Sequence, residues 1–492
     1  MKENALYNSN RIGLNNRWLI IGVFLSIVLG WLIANIGISI AGLVLVLPFG
    51  IAFLILVFLN PRIGLISFIF YCFLMPTIGK HIVGPQFGLL VDALLVITWL
   101  AVFFYQGNRF RFRHLDNDLV WLALIWFGIT VLEIGNPTRP NIMGWLQEMR
   151  SSSLYWLLVV PLTIFIFNKK TDISLFLNII VVMSFLGAIY GMKQLYIGVD
   201  SAEHRWLEEG AKKTHILFGK LRVFSYYSEA AQFGASQAHL AVMCIVLAIG
   251  PYSIGKKIWY GFAGLLIFYG MLISGTRGAM GALVGGGFIF LILMKQTRIL
   301  VTGIVIGMGF VGMLKFTSIG SGNDQIRRLR SSLDPNDPSL QARLINQRIL
   351  KDIMASKPIG MGVGTIGQWG RTYNKHLATN NIPPDSLYVK MWAMYGVIGF
   401  IIWFGMMFYI VGKSAGIIWE TRDPVLRNQL ISLCAGSFGS LVCSYGNEVM
   451  NALPSSAIVY ISWAFVFISP KWDSKELGVK IDERINVKLP ES

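Results

Sequence analysis

Residues 265–284 read Leu265-Leu266-Ile267-Phe268-Tyr269-Gly270-Met271-Leu272-Ile273-Ser274-Gly275-Thr276-Arg277-Gly278-Ala279-Met280-Gly281-Ala282-Leu283-Val284. Two apolar runs, 258–274 and 279–294, meet here with almost no loop, and an arginine stands at the join. Arginine at bilayer depth costs about 2.5–3.5 kcal/mol on insertion scales, so it faces a polar cavity or an anion. The small residues beside Arg277 let a backbone or a ligand come close.

The rest of the chain is as apolar as these runs. Of 492 residues, 54% are hydrophobic and only 14% charged, with a mean hydropathy of +0.60. That excludes an ordinary soluble domain and fits an all-α polytopic membrane protein. At about 20 apolar residues per span, fourteen spans are predicted: 18–38, 41–59, 63–78, 88–105, 118–134, 153–167, 173–196, 229–249, 258–274, 279–294, 299–316, 387–411, 428–446 and 453–469. The first runs into the others and lacks a small-residue cleavage site, so it reads as a retained span rather than a signal peptide. The whole chain, 1–492, reads as one integral membrane unit.

Charge sets the orientation. With the N-terminus inside, the inner connections carry Arg62, Arg109, Arg111, Arg113, Lys169, Lys170, Lys256, Lys257, Lys295, Arg298, Lys413, Arg422 and Arg427. The short outer connections are poor in Lys and Arg, which is the positive-inside pattern. Arg277 and the longer loops 198–228 and 317–386 then face outward. In the second of these, Asp337-Pro338 starts a helix running to about 356, before Lys357-Pro358 stops it. Leu340, Leu344, Ile345, Ile349 and Ile353 recur at helical spacing and make it amphipathic. The tail from Lys471 reads as loosely ordered.

Charged residues near the outer span ends map the expected site: Asp92, Glu133, Lys193, Glu229, Arg277, Asp385, Lys390 and Glu448. Lys193, Arg277 and Asp385 are expected to share a polar cavity. The middle of the spans is almost free of charge. A secondary transporter would place binding groups there, so a lipid-linked glycan flippase is the disfavoured alternative. The net charge of +17 fits anionic headgroups or an anionic substrate and is weak evidence for nucleic acid.

Other motifs lack the context their chemistry needs. Gly362-x-Gly364-x-x-Gly367 has no βαβ unit and reads as a flexible loop. Asp116-Asn117-Asp118 reads as a helix cap. The six histidines show no metal-ligand spacing, and Cys72, Cys244, Cys434 and Cys443 all fall inside spans as small core residues. Gly281 and Gly285 read as a helix-packing pair.

Four segments, in order, resemble one family. Arg222-Val223-Phe224-Ser225-Tyr226-Tyr227-Ser228-Glu229 is similar to the arginine-plus-aromatic span start of O-antigen ligases and polysaccharide polymerases. Ser274-Gly275-Thr276-Arg277-Gly278-Ala279 resembles their Ser-x-(Ser/Thr)-Arg-Gly-Ala motif. Arg343 and the Pro358-x-x-Gly360-x-Gly362 turn look like their loop helix and its end. Pro384-Asp385-Ser386, followed by Tyr395-Gly396, resembles the start of the next span. The ligases carry a histidine where Asp385 stands, so the aspartate tilts the resemblance to the polymerase branch, with His376 a possible substitute nine residues earlier.

The resemblance implies a GT-C-like fold in the bacterial cytoplasmic membrane, with the active site facing outward. It implies a polymerase (Wzy-type) that transfers an undecaprenyl-diphosphate-linked glycan to a lipid-linked repeat unit, with inversion. A ligase that delivers the glycan to lipid A core or protein is the alternative. The expected catalytic residues are Asp385 as base and Arg277 and Arg222 as the diphosphate clamp. Arg343, Glu229 and Lys390 are expected at the substrate, with Glu229 the second candidate base. No metal or cofactor is expected; membrane lipid and other polysaccharide-assembly proteins are the expected partners.

Overall fold

The computed structural model describes residues 38–473 together with a few between 24 and 31. It leaves out 83, 85, 106–114, 218, 296 and most of 319–335. Most of the predicted first span, the Arg109/Arg111/Arg113 cluster and nearly all of the C-terminal tail lie outside the described residues.

In chain order the helices are α1 Ile38–Leu59, α2 Pro61–His81, α3 Gly88–Phe104, α4 Asp118–Leu132, α5 Ile142–Ile166, α6 Lys170–Tyr196, α7 Ser201–Trp206 and α8 Ala230–Ile249. They continue as α9 Ile254–Ile273, α10 Ala279–Met294, α11 Thr297–Phe316, α12 Pro338–Met354, α13 Gly367–Tyr373, α14 Leu387–Glu420, α15 Pro424–Cys443 and α16 Ser455–Ile468. A two-stranded antiparallel ribbon, Ile216–Leu217 with Lys220–Leu221, lies in the 198–228 segment. Among the described residues, seven helices are long and apolar enough to cross a membrane, and further apolar helices are shorter. The chain is an all-α multi-pass membrane protein.

Several helices outrun their predicted spans, for one physical reason: a charge that seemed to end a span has a partner inside the bundle. Helix α5 begins at Ile142 rather than 153 and passes Glu148 and Arg150 through a π-helical turn at Arg150–Leu154. Arg150 bonds Asp92 at 2.7 Å, and Glu148 bonds Lys390 at 2.9 Å. Helix α14 runs to Glu420 rather than 411, with Lys413 paired to Asp118. At the start of α6, Asp172 pairs with Arg62.

The centre is α16, buried at every position from Ser455 to Ile468 and packed on α5 and α15. Helices α8, α9, α10 and α15 pack closely on one another through small residues. A Cβ on Gly285 would lie 2.6 Å from Val442, and one on Gly439 would lie 2.4 Å from the Ala282 carbonyl oxygen. Only glycine allows such approach. All four cysteines are buried and free.

One feature holds the long 317–386 segment to the bundle. Helix α14 breaks at Gly396, whose φ of 67° and ψ of −171° are open only to glycine. The break frees the carbonyls of Ala393 and Met394, which membrane surroundings would leave unpaired at a cost of several kcal/mol each. The turn after α12 fills the gap. Met361 and Gly362 donate their N–H groups to those two carbonyls, each at 2.9 Å, and Ile398 N–H donates back to Pro358 at 3.3 Å. Gly360, Gly362, Gly364 and Gly367 all have positive φ, and residues 360–366 are buried. The glycine-rich stretch expected to be a flexible loop is therefore a packed wedge.

In helix α12 the apolar residues divide between the bundle and the outer surface. Leu350 and Met354 are its buried residues, whereas Ile345 and Ile349 are exposed.

Candidate active site

The site forms where α8, α10 and α14 begin and α9 and α15 end. Glu229 precedes α8, and the His215 imidazole rather than Glu229 caps that helix. His215 Nε2 accepts from the Ala230 N–H at 3.3 Å and Nδ1–H donates to the Ala211 carbonyl at 3.0 Å. Burial lowers the His215 pKa to about 4, which keeps Nε2 free to accept.

Thr276 links the two arginines expected to form the clamp. Its hydroxyl donates to the Ala230 carbonyl at 2.9 Å and accepts from Arg222 Nη2 at 3.3 Å. Gly275, at φ 60°, and the Ser274 hydroxyl, which accepts from Thr276 N–H at 3.1 Å, shape the turn that presents Arg277. Arg277 does find an anion, and it belongs to the protein. Its Nη1 donates to Ser331 Oγ at 3.1 Å and pairs with Asp337 Oδ2. The other oxygen of Asp337 accepts from Leu340 N–H at 3.2 Å and so caps α12.

Asp385 does not cap α14. Ser386 holds the cap position without a side-chain bond, and the free Leu387 N–H donates instead to Ser444 at 2.9 Å. Asp385 itself has φ 48°, a left-handed conformation costly for most residues and tolerated best by Asn and Asp. The residue is exposed, between the buried Pro384 and Ser386. Desolvation raises its pKa from the ordinary aspartate value; Glu448 adds to this, and Arg343 and Arg371 oppose it. Glu229 behaves alike: desolvation raises it, Glu448 and Asp385 add, and Arg222 opposes.

Three carboxylates, Asp385, Glu229 and Glu448, therefore share a field with Arg222, Arg343 and Arg371. Arg343 reaches from α12 to the turn after α15, where a Cβ on Gly446 would lie 3.6 Å from its Nη1. Arg371, on α13, carries no sequence motif and was not among the expected site residues.

Other expected members lie elsewhere or are tied up. Lys193 pairs with Glu203 at 3.7 Å and lies against Tyr190, rather than sharing a cavity with Asp385. Asp92 is bound by Arg150 and Tyr155, and Glu133 accepts from Asn136 at 2.7 Å. Lys390, expected at the substrate, is 7% exposed and paired with both Glu148 and Glu448. His376 is exposed on the turn after α13. Among the described residues, no group of three or more His, Cys, Asp or Glu side chains is arranged to hold a metal. Asn117 caps α4, accepting from Leu119 N–H at 2.9 Å.

Fold and site define a multi-pass helical membrane protein with arginines and carboxylates gathered at one end of its bundle. Residues 262–404 match the family model described as O-Antigen ligase, which supports an O-antigen ligase-like assignment. Members of that family transfer glycans carried on lipids. The matched stretch holds Arg277, Arg343, Asp385 and Lys390, whereas Arg222, Glu229 and Glu448 lie outside it. No curated protein matches the chain.

Proposed function

We propose that the chain is a polysaccharide polymerase, transferring an undecaprenyl-diphosphate-linked glycan onto a second lipid-linked repeat unit at the outer face of the bacterial cytoplasmic membrane. The observation that supports this reading is that Arg277, Arg343 and Asp385 lie together in a segment that matches the O-antigen ligase model, with an aspartate at the start of α14.

The chemistry suits these groups. The bond from the donor sugar to its diphosphate breaks, and the electron pair leaves with the diphosphate. Growing negative charge there needs stabilisation rather than a proton. Guanidinium groups supply it through paired bonds to phosphate oxygens. Arg222 and Arg277 would form the clamp, joined through Thr276, with Arg343 a third contact. The donor would take Arg277 from Asp337, one anion replacing another. Asp385 would accept the proton of the attacking acceptor hydroxyl, with Glu229 as second candidate. Attack opposite the leaving group inverts the anomeric centre. In this reading arginines do the work that a metal does in other transferases.

The description of the matching family favours one second reading, an O-antigen ligase with lipid A core or protein as acceptor. Purified protein incubated with a lipid-linked repeat unit separates the two. A ladder of products supports the polymerase. A single glycan moved to a lipid A acceptor, with no ladder, establishes the ligase. No product from either removes both.

A further inference from the structure

The mechanism above leaves unused a buried charged group directly beneath the carboxylates. Lys390 lies on the first turn of α14, its N–H donating to Ser386 at 3.0 Å. Its ammonium donates to Glu448 Oε2 at 2.7 Å and lies 2.9 Å from Glu148 Oε2. Asn451 Nδ2 donates to the other Glu148 oxygen at 2.9 Å. Lys390 and Glu148 are 7% and 1% exposed, while Glu448 is 30% exposed. The connection bearing Glu448 is pinned to the start of α14 by the Leu387–Ser444 bond.

The lysine therefore has two acids for one charge. One, Glu148, is sealed in the bundle and fully bonded. The other, Glu448, turns toward the site. Its charge acts on Asp385 at the start of α14 and on Glu229 before α8, and around those two acids stand Arg222 from before α8, Arg343 from α12 and Arg371 from α13. A carboxylate in that position would otherwise be free to swing onto an arginine meant for the donor. The bond to Lys390 holds it in place.

We propose that Glu448, anchored from below by Lys390, is a positioning residue for glycan transfer: it fixes a negative charge beside Asp385 and Glu229. The inference rests on the reading of one of these acids as the base. A fixed like charge makes a neighbouring carboxylate hold a proton more tightly. This brings the base nearer the proton affinity that general-base catalysis at neutral pH requires. It also explains why a lysine so close to the site is withheld from the substrate.

The test is Glu448→Gln. Glutamine keeps an oxygen for Lys390 and removes the charge, while Glu148 still balances the lysine. Two readouts are taken on purified protein. One is the pH profile of kcat/KM for transfer. The other needs no substrate: the infrared band of protonated carboxyl groups followed against pH, with Asp385→Asn and Glu229→Gln variants identifying the bands. Removing the negative neighbour should move the acid limb and the band midpoint to lower pH by roughly half a unit or more. Glu448→Asp should restore both. Reduced transfer with both midpoints unmoved would make Glu448 merely structural and overturn the proposal. Should the Gln protein fail to elute as one folded species, Glu448→Ser serves as the second neutral variant, with the same two outcomes. A wild-type protein that transfers no glycan, with the band midpoint still moving in the variant, would remove the glycan-transfer reading and leave the fixed charge established.

Discussion

At the scale of the residue, Asp385 and Arg277 are each placed for a job that a near neighbour in chemistry cannot do. Asparagine tolerates the left-handed backbone of Asp385, and no cap is lost, since Ser386 holds that position. Asp385→Asn is therefore expected to leave the protein folded and to cut transfer by roughly 100-fold or more. It should also be no less heat-stable than the wild type. The folded carboxyl holds its proton more tightly than the unfolded one. Native stability is thus lost as pH rises from the ordinary aspartate range through the raised value, and asparagine removes that loss. Thermal-shift curves in detergent at pH 7 check this, and a full glycan ladder from the variant would pass the base role to Glu229 or His376. Arg277→Lys asks a different question. An ammonium can still pair with Asp337, so the α12 end stays held, but the planar fork that grips a diphosphate is gone. Loss of ladder in a normally inserted Lys variant is the expected outcome; normal polymer in a deletion strain would make Arg277 structural.

Among the elements, the interrupted helix α14 makes the sharpest demand on sequence. A Cβ on Gly396 would lie 2.0 Å from the Pro358 carbonyl oxygen, and one on Gly360 would lie 2.4 Å from Gly396 N. Gly396→Ala and Gly360→Ala should each destabilise by a few kcal/mol, through backbone strain and broken buried hydrogen bonds. Gly405→Ala, on the same helix with open space around it, is the control and should melt like wild type. Both halves of this joint were visible in the sequence as a Pro-x-x-Gly-x-Gly turn and a Tyr-Gly pair. Their meeting was not, because nothing in either segment states which carbonyls the other must satisfy. The span limits failed for a related reason. Glu148, Arg150 and Lys413 read as ends because their partners, Lys390, Asp92 and Asp118, are distant in the chain. By contrast, the start of α12 was legible at Asp337-Pro338, because capping is local. Arg371 could not have been found this way, since it matters only through the fold that brings α13 beside Asp385.

For the molecule as a whole, the distribution of Lys and Arg predicts that the site faces outward. The native cysteines are buried, so added ones report alone. By the positive-inside pattern, Lys375→Cys on the exposed turn after α13 should react with an impermeant thiol reagent from outside the cell. Lys257→Cys, near the start of α9, should react only after the membrane is opened. The reverse pattern would place Arg277, Asp385 and Glu448 in the cytoplasm, where a lipid-linked glycan awaiting export could not be polymerised outside.

The stitch between Met361-Gly362 and the broken helix also has a bearing on biogenesis. A ribosome makes residues 358–362 before it makes 393–398. The turn is thus already released when the first half of α14 enters the bilayer with two carbonyls lacking partners. The segment that completes the helix is in place before the helix needs it. Moved to a later point in the chain, the same five residues would leave α14 to wait, unsatisfied, in lipid.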